Sequence, residues 1–111
     1  MPAPDLLAMV VEFRAAPGRA AELRAALLAL VAPTRAEIGC LRYDLHDSVA
    51  DPDLFAFYEV WTSVEAHAAH DRTAHVGVIV AALPHLTAEP PRVLRMRPIE
   101  AAEPSDDPAQ T

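Results

Sequence analysis

Ala50-Asp51-Pro52-Asp53-Leu54-Phe55-Ala56-Phe57-Tyr58-Glu59-Val60-Trp61-Thr62 is the stretch whose reading decides the fold. Its first four residues are a turn cluster, because Asp and Pro pre-set or tolerate turn dihedrals. The nine that follow are rich in aromatic and β-branched groups and read as a strand. Upstream, residues 40–49 read as a second strand. Leu41, Tyr43 and Leu45 share one face there; Cys40, Arg42, Asp44, His46 and Ser48 share the other. Two strands joined by so short a turn imply an antiparallel hairpin.

Working outward, Ser63 is a candidate N-cap for a helix over 64–71, with Glu65 in its first turn favouring the helix dipole. Thr73 caps a further helical run over 74–83, and Pro84 and Pro90-Pro91 close it. Residues 92–99 read as a last strand, with Pro98 marking its end or a sheet edge. On the other side of the hairpin, residues 18–38 read as a helix. Leu23, Leu27, Leu30, Val31, Thr34 and Ile38 form one stripe at the helical period, Pro33 predicts a kink, and Gly39 a stop. Residues 6–15, bounded by Pro17-Gly18, read as a strand with apolar groups at both parities.

The order strand, helix, strand, strand, helix, strand is a ferredoxin-like split βαβ arrangement of the α+β class. Two helical runs would cover one face of a four-stranded antiparallel sheet. The first and third strands are apolar on both faces, so a second copy of the sheet is the expected cover, giving a homodimer. One domain over residues 1–100 is expected, followed by an acidic, Pro/Ala-rich disordered tail over 101–111.

The chain has 111 residues and a net charge of −7, from nine bases, all Arg, against sixteen acids. Four of those acids lie in the last twelve residues, and no basic patch emerges, which argues against nucleic-acid binding. The single Cys excludes an intrachain disulfide. No apolar run approaches the roughly 20 residues that span a membrane, and no signal peptide is visible, so no membrane partner is expected and the cytoplasm is the expected location. With three Gly and no Gly-rich phosphate loop, nucleotide and flavin binding are disfavoured.

Several residues are candidates for chemistry. Glu59, inside an aromatic strand, is a carboxylate that burial would protonate or pair, with Arg42 on the neighbouring strand as the candidate partner. It reads either as a base of raised pKa or as a structural ion pair. Tyr43, Phe55, Phe57, Tyr58 and Trp61 lie on two adjacent strands and could wall a pocket for a flat ring, although odd and even positions face opposite ways. His67, His70 and His75 fall within nine residues. No His-Glu-x-x-His and no Cys pair accompanies them, so no metal is expected. His75, beside the Thr73 cap, is the candidate proton-transfer group. Cys40 has no base near enough to activate it and reads as a small buried hydrophobe.

Taken together, Pro17-Gly18 before a helix and Ala36-Glu37-Ile38-Gly39-Cys40-Leu41-Arg42-Tyr43-Asp44-Leu45 resemble the Glu-x-Gly-Cys-x-x-Tyr segment of the antibiotic-biosynthesis monooxygenase family. Phe57-Tyr58-Glu59-Val60-Trp61, then Ser63-x-Glu65-Ala66, His70, Thr73 and His75, resemble its second signature. The resemblance spans residues 7–99. It implies a dimeric α+β barrel and includes cofactor-independent oxygenases of phenols and quinols, haem-degrading relatives and an isomerase of a phosphosugar. The haem-degrading relatives carry their ligand His later in the helix; here that stretch, 76–80, has none. The Trp of quinone-forming members corresponds to Trp61, while Phe57 and Ala81 depart from their polar pocket residues.

The resulting expectation is a cofactor-free monooxygenase taking a small aromatic phenol or hydroquinone and O₂. His75, Trp61, Glu59 and His70 would be its catalytic group, and Tyr58, Tyr43, Phe57 and Arg42 would bind substrate. The alternatives are an isomerase or other proton-transfer enzyme, with Arg42 or Arg72 as an anion clamp, and a non-enzymatic dimeric small-molecule-binding protein.

Overall fold

A computed structural model describes residues 5–100. Residues 1–4 and the tail expected over 101–111 lie outside it. Strand β1 (Leu7–Arg14) leads to helices α1 (Ala20–Leu28) and α2 (Val31–Arg35). Strands β2 (Cys40–Asp47) and β3 (Leu54–Trp61) follow, then α3 (Val64–Asp71), α4 (Ala74–Leu86) and β4 (Arg92–Met96). The sheet order is β2-β3-β1-β4 and every pairing is antiparallel, which is the ferredoxin-like arrangement.

The pleat sorts the two central strands. Leu7, Met9, Val11 and Phe13 of β1 register with Trp61, Glu59, Phe57 and Phe55 of β3, and all eight are buried. Leu23, Leu27, Leu30 and Thr34 from the first helical run and Ile79 and Leu86 from α4 close over this face. Full burial of each such Leu contributes about 2–3 kcal/mol. The opposite face carries Val10, which registers with both Tyr58 and Leu94. Leu94 is 56% exposed there, and no helix among the described residues covers it.

Three local details differ from the sequence expectation. The first helical run breaks near Ala29 and Leu30 rather than at Pro33. Pro33 lacks an N–H and crowds the carbonyl four residues back, so the strain surfaces one turn upstream, and Leu30 N–H donates to Leu27 O instead. Because α2 ends at Arg35, the next turn points Ile38 into solvent, 97% exposed, and turns Glu37 inward. The final helix runs through Pro84 to Leu86, since Pro84 removes only one bond in the last turn and Leu86 is anchored in the core. In β2, a bulge between Cys40 and Arg42 makes Leu41 an extra residue. Cys40 therefore registers with Trp61 and shares a face with Tyr43, not with Arg42.

The turn from α2 into β2 depends on Gly39. It sits at φ +88°, and a Cβ there would lie 2.6 Å from Ala66 Cβ and 2.7 Å from Thr62 Oγ1. Gly39→Ala is expected to cost at least about 2 kcal/mol in denaturant unfolding, from backbone strain plus overpacking. Gly77, mid-α4 with open space around its Cβ direction, is the opposite case: Gly77→Ala should stabilise by about 0.5–1 kcal/mol. Equal effects of the two substitutions would contradict this account of the turn.

Candidate functional site

A cavity of about 320 Å³ lies between the β1–β4 side of the sheet and helix α4. Its walls are mostly apolar, including Met9, Val11, Phe57, Ile79 and Leu83. Glu59, Tyr43, His67, His70 and Asp71 supply its polar groups, and Arg95 of β4 stands at its edge.

Two hydrogen-bonded units meet at the polar side. In the first, Trp61 Nε1–H donates to Glu59 Oε1 at 2.9 Å, with both side chains buried. Both residues sit on β3 two positions apart, so the pleat points them to the same face. Burial pushes the Glu59 carboxyl above its ordinary range, while the Trp61 N–H and the nearby His70 pull the other way. The second unit is built on Glu37. Its Oε2 lies 2.8 Å from His70 Nδ1 and 2.7 Å from His75 Nε2. An ionised carboxylate only accepts, so both nitrogens carry their protons: His70 Nδ1–H and His75 Nε2–H donate to the one oxygen. Nε2 is then the unprotonated nitrogen of neutral His70, a residue that lines the cavity. The His70 ring packs 4.8 Å from Trp61 and 5.6 Å from Tyr43, which fixes its plane. The two N-caps place the imidazoles. Ser63 Oγ accepts from Ala66 N–H, Thr73 Oγ1 accepts from Val76 N–H, and the tight α3–α4 corner between them carries His70 and His75 towards Glu37.

Of the expected site residues, Glu59, His70, Tyr43 and Phe57 line the cavity, and Trp61 backs it from a fully buried position. His75 does not line it; it reaches Glu37 from the outer side with its side chain 24% exposed. Tyr58 and Arg42 are not with the others. The register puts them on the uncovered face, where the Arg42 guanidinium lies 5.9 Å over the Tyr58 ring and pairs with Asp44. Arg42 is therefore not the partner of Glu59; Trp61 is. Arg72, at the C-cap of α3, is exposed and absent from the cavity wall.

His67 contacts Asp71 at 3.7 Å rather than joining the other histidines on Glu37, and burial lowers its pKa. Cys40 is pushed up to about 11 by burial and by Glu37 and Glu59, so it stays a thiol near neutral pH. Burial likewise raises Tyr43, keeping its hydroxyl a donor. The residues that sequence reasoning missed are Glu37 and Arg95. Glu37 falls off the apolar stripe and reads as a solvated helix residue; the Glu-x-Gly-Cys segment was the only signal marking it.

The raised Glu59 pKa has a consequence for stability. Folded Glu59 holds its proton more tightly than it does unfolded. Its stabilising contribution is thus complete below the ordinary value of 4.5 and is lost as pH rises through the folded value. Glu59→Gln keeps an acceptor for Trp61 and escapes that loss. The melting temperature of the variant minus that of the native chain should be more positive at pH 7 than at pH 4. A difference independent of pH would show that Glu59 is not carrying a desolvation penalty.

A model of the antibiotic biosynthesis monooxygenase family matches residues 6–82. The chain is 33% identical over 96 residues to the Mycobacterium tuberculosis protein named "Putative monooxygenase Rv0793", covering 86% of this chain and 94% of that one. The solved structure of Rv0793 superposes with a TM-score of 0.84 at 30% identity, over 89% of this chain and all of the other. The crystal structure of PA3566 from Pseudomonas aeruginosa has the same TM-score at 33% identity, over 90% of this chain and 100% of that one. With the family signature, the sheet order and two such relatives in agreement, the chain belongs to the antibiotic biosynthesis monooxygenase family.

Proposed function

We propose that this protein is a monooxygenase that oxidises a small phenol or hydroquinone with O₂, using no bound cofactor. The observation that carries the reading is His70, held through Nδ1 by Glu37 at the polar side of an apolar cavity of about 320 Å³, which leaves Nε2 as its proton acceptor. That volume is at the lower end for small-molecule sites and suits one or two fused rings.

The chemistry follows from the placement. His70 Nε2 takes the phenolic proton, and the Glu37 carboxylate on the opposite nitrogen stabilises the imidazolium that forms. The phenolate gives one electron to O₂. The apolar walls keep the resulting radical pair together until a ring carbon–oxygen bond forms, and the peroxide anion takes back the proton held by His70 to give a ring hydroperoxide. Glu59, biased by burial toward its protonated form, donates a proton to the leaving oxygen. His70 removes the C–H proton from the same ring carbon as the O–O bond breaks, so water leaves, the other oxygen atom of O₂ stays as a quinone carbonyl, and the proton on His70 returns to Glu59. His75 is a positioning residue in this scheme: it acts through Glu37.

Chelator-treated protein should consume O₂ when given a hydroquinone or naphthol. Glu37→Gln and His70→Gln should each lower the rate by about 100-fold. His75→Ala should lower it less, because it leaves the His70–Glu37 bond in place. Wild-type rates in His70→Gln would remove the proposed base.

A second reading is favoured by Arg95, which lines the cavity and has no salt bridge among the described residues. A cation there suits an anionic substrate and a proton-transfer reaction such as isomerisation, with His70 in the same role. Hydrogen exchange into the substrate without O₂ uptake would select it.

The protein also acts as a homodimer in this proposal, with the uncovered sheet face packed on its copy. Val10, Tyr58, Val60 and Leu94 are the apolar groups there. Light scattering should give about 24 kDa, twice the chain mass. Leu94→Asp, half-exposed in the single chain, should halve that mass without unfolding the protein. A monomeric native protein would refute the pairing.

A further inference from the structure

The Glu37 cluster has a second chemical capacity. Glu37 Oε2, His70 Nδ1 and His75 Nε2 all lie within 4.8 Å of one another. They come from three separate segments and converge on one point. Two imidazoles and one carboxylate form a donor set that suits borderline divalent cations such as Zn²⁺ far better than Mg²⁺. Zinc holds such ligands at about 2.0–2.2 Å, which places tetrahedral ligand atoms about 3.3–3.4 Å apart. To accept an ion, the oxygen–nitrogen separations of 2.8 and 2.7 Å widen by about half an ångström and the nitrogen pair, within 4.8 Å, draws in by at most about 1.4 Å. Glu37 stands on the short turn after α2, and the His75 side chain is a quarter exposed, so the outer side offers both the give and the entry path. The fourth position is left for water.

We propose that Glu37, His70 and His75 form a site for a zinc-like divalent cation, and that filling it switches off His70 as a proton acceptor. The switch rests on the base assignment made above; the site itself does not. Without a cation the Nδ1 proton of His70 is given to Glu37 and the Nε2 lone pair is free. A cation on Nδ1 needs that lone pair, so the proton moves to Nε2. The His75 proton likewise moves from Nε2 to Nδ1. Both rings stay neutral and no proton is gained or lost, but Nε2 of His70 has changed from an acceptor to a donor. The cation is therefore an inhibitor of proton abstraction, not a participant in it.

The test uses the full chain stripped with chelator, then titrated with ZnCl₂ or MgCl₂ by calorimetry and thermal shift. One Zn²⁺ per chain is expected, with no response to Mg²⁺ at the same concentration. Glu37→Gln and His75→Ala should each weaken binding by at least about 100-fold, more than the loss of an outer partner does. His85→Ala, an exposed histidine far along α4, should leave it unchanged. Nitrogen-15 spectra of the imidazoles read the switch without any activity: His70 should pass from Nδ1–H to Nε2–H as zinc is added. O₂ uptake, where present, should fall in step with occupancy.

Absence of zinc binding, binding that survives both ligand substitutions, or an equal response to Mg²⁺ would overturn the site. A zinc-loaded protein whose His70 keeps its Nδ1 proton, or whose O₂ uptake is undiminished, would overturn the switch. A chain that takes up no O₂ under any condition yet shows the tautomer change would refute the monooxygenase reading and leave the cation site standing.

Discussion

One carboxylate oxygen holds the functional half of this molecule together. Glu37 Oε2 accepts from His70 and from His75, and so ties the turn after α2 to the corner between α3 and α4. Such a bond is charge-assisted, shorter and roughly twice as strong as a neutral one. Burying a carboxylate without partners would cost several kcal/mol, so the two imidazole N–H groups are what allow Glu37 to sit inside. The dependence is mutual. Without Glu37 neither ring has a defined tautomer, and a base is useful only when the correct nitrogen is free.

The neighbouring carboxyl is handled in the opposite way. Glu59 has one donor, the Trp61 indole, and burial pushes it toward its protonated form. Two carboxyls near one imidazole thus have different partners: Glu37 is given two imidazole N–H groups and Glu59 a single indole N–H. This is the usual physical basis for dividing acid and base roles between like groups. The rest of the wall is mostly apolar, with Met9, Val11, Phe57, Ile79 and Leu83, which suits the proposed reaction, whose intermediates must be kept from water.

The sheet explains why the cavity exists at all. Strand β4 lies at an edge, and helix α4 does not close over it as fully as the first helical run closes over β1 and β3. Val93 remains half exposed although it registers with the buried Val11. The gap between β4 and α4 becomes the cavity. Among the described residues no helix covers the other face of the sheet, so the pleat divides the central strands: odd residues of β1 and β3 build the core and cavity, and Val10, Tyr58 and Val60 point to the opposite face.

Much of this was legible in the residues. The Asp51-Pro52-Asp53 turn between two β-prone runs, and the Ser63 and Thr73 caps, are local signals, and each formed where local chemistry demanded. The side-chain period of two separated Phe57, Glu59 and Trp61 from Tyr58 for the same reason. Local signals stop at effects that propagate along the backbone. Pro33 broke its helix a turn early, the bulge at Leu41 moved Cys40 across the sheet, and the early end of α2 exchanged Glu37 and Ile38 between inside and outside. The sequence by itself determined the order of elements, the core stripes and the presence of histidines and carboxyls near one another along the chain. Only the tertiary structure decided that Glu37 meets His70 and His75. That meeting joins residues more than thirty positions apart, and no periodicity within one helix or strand encodes a contact between three of them.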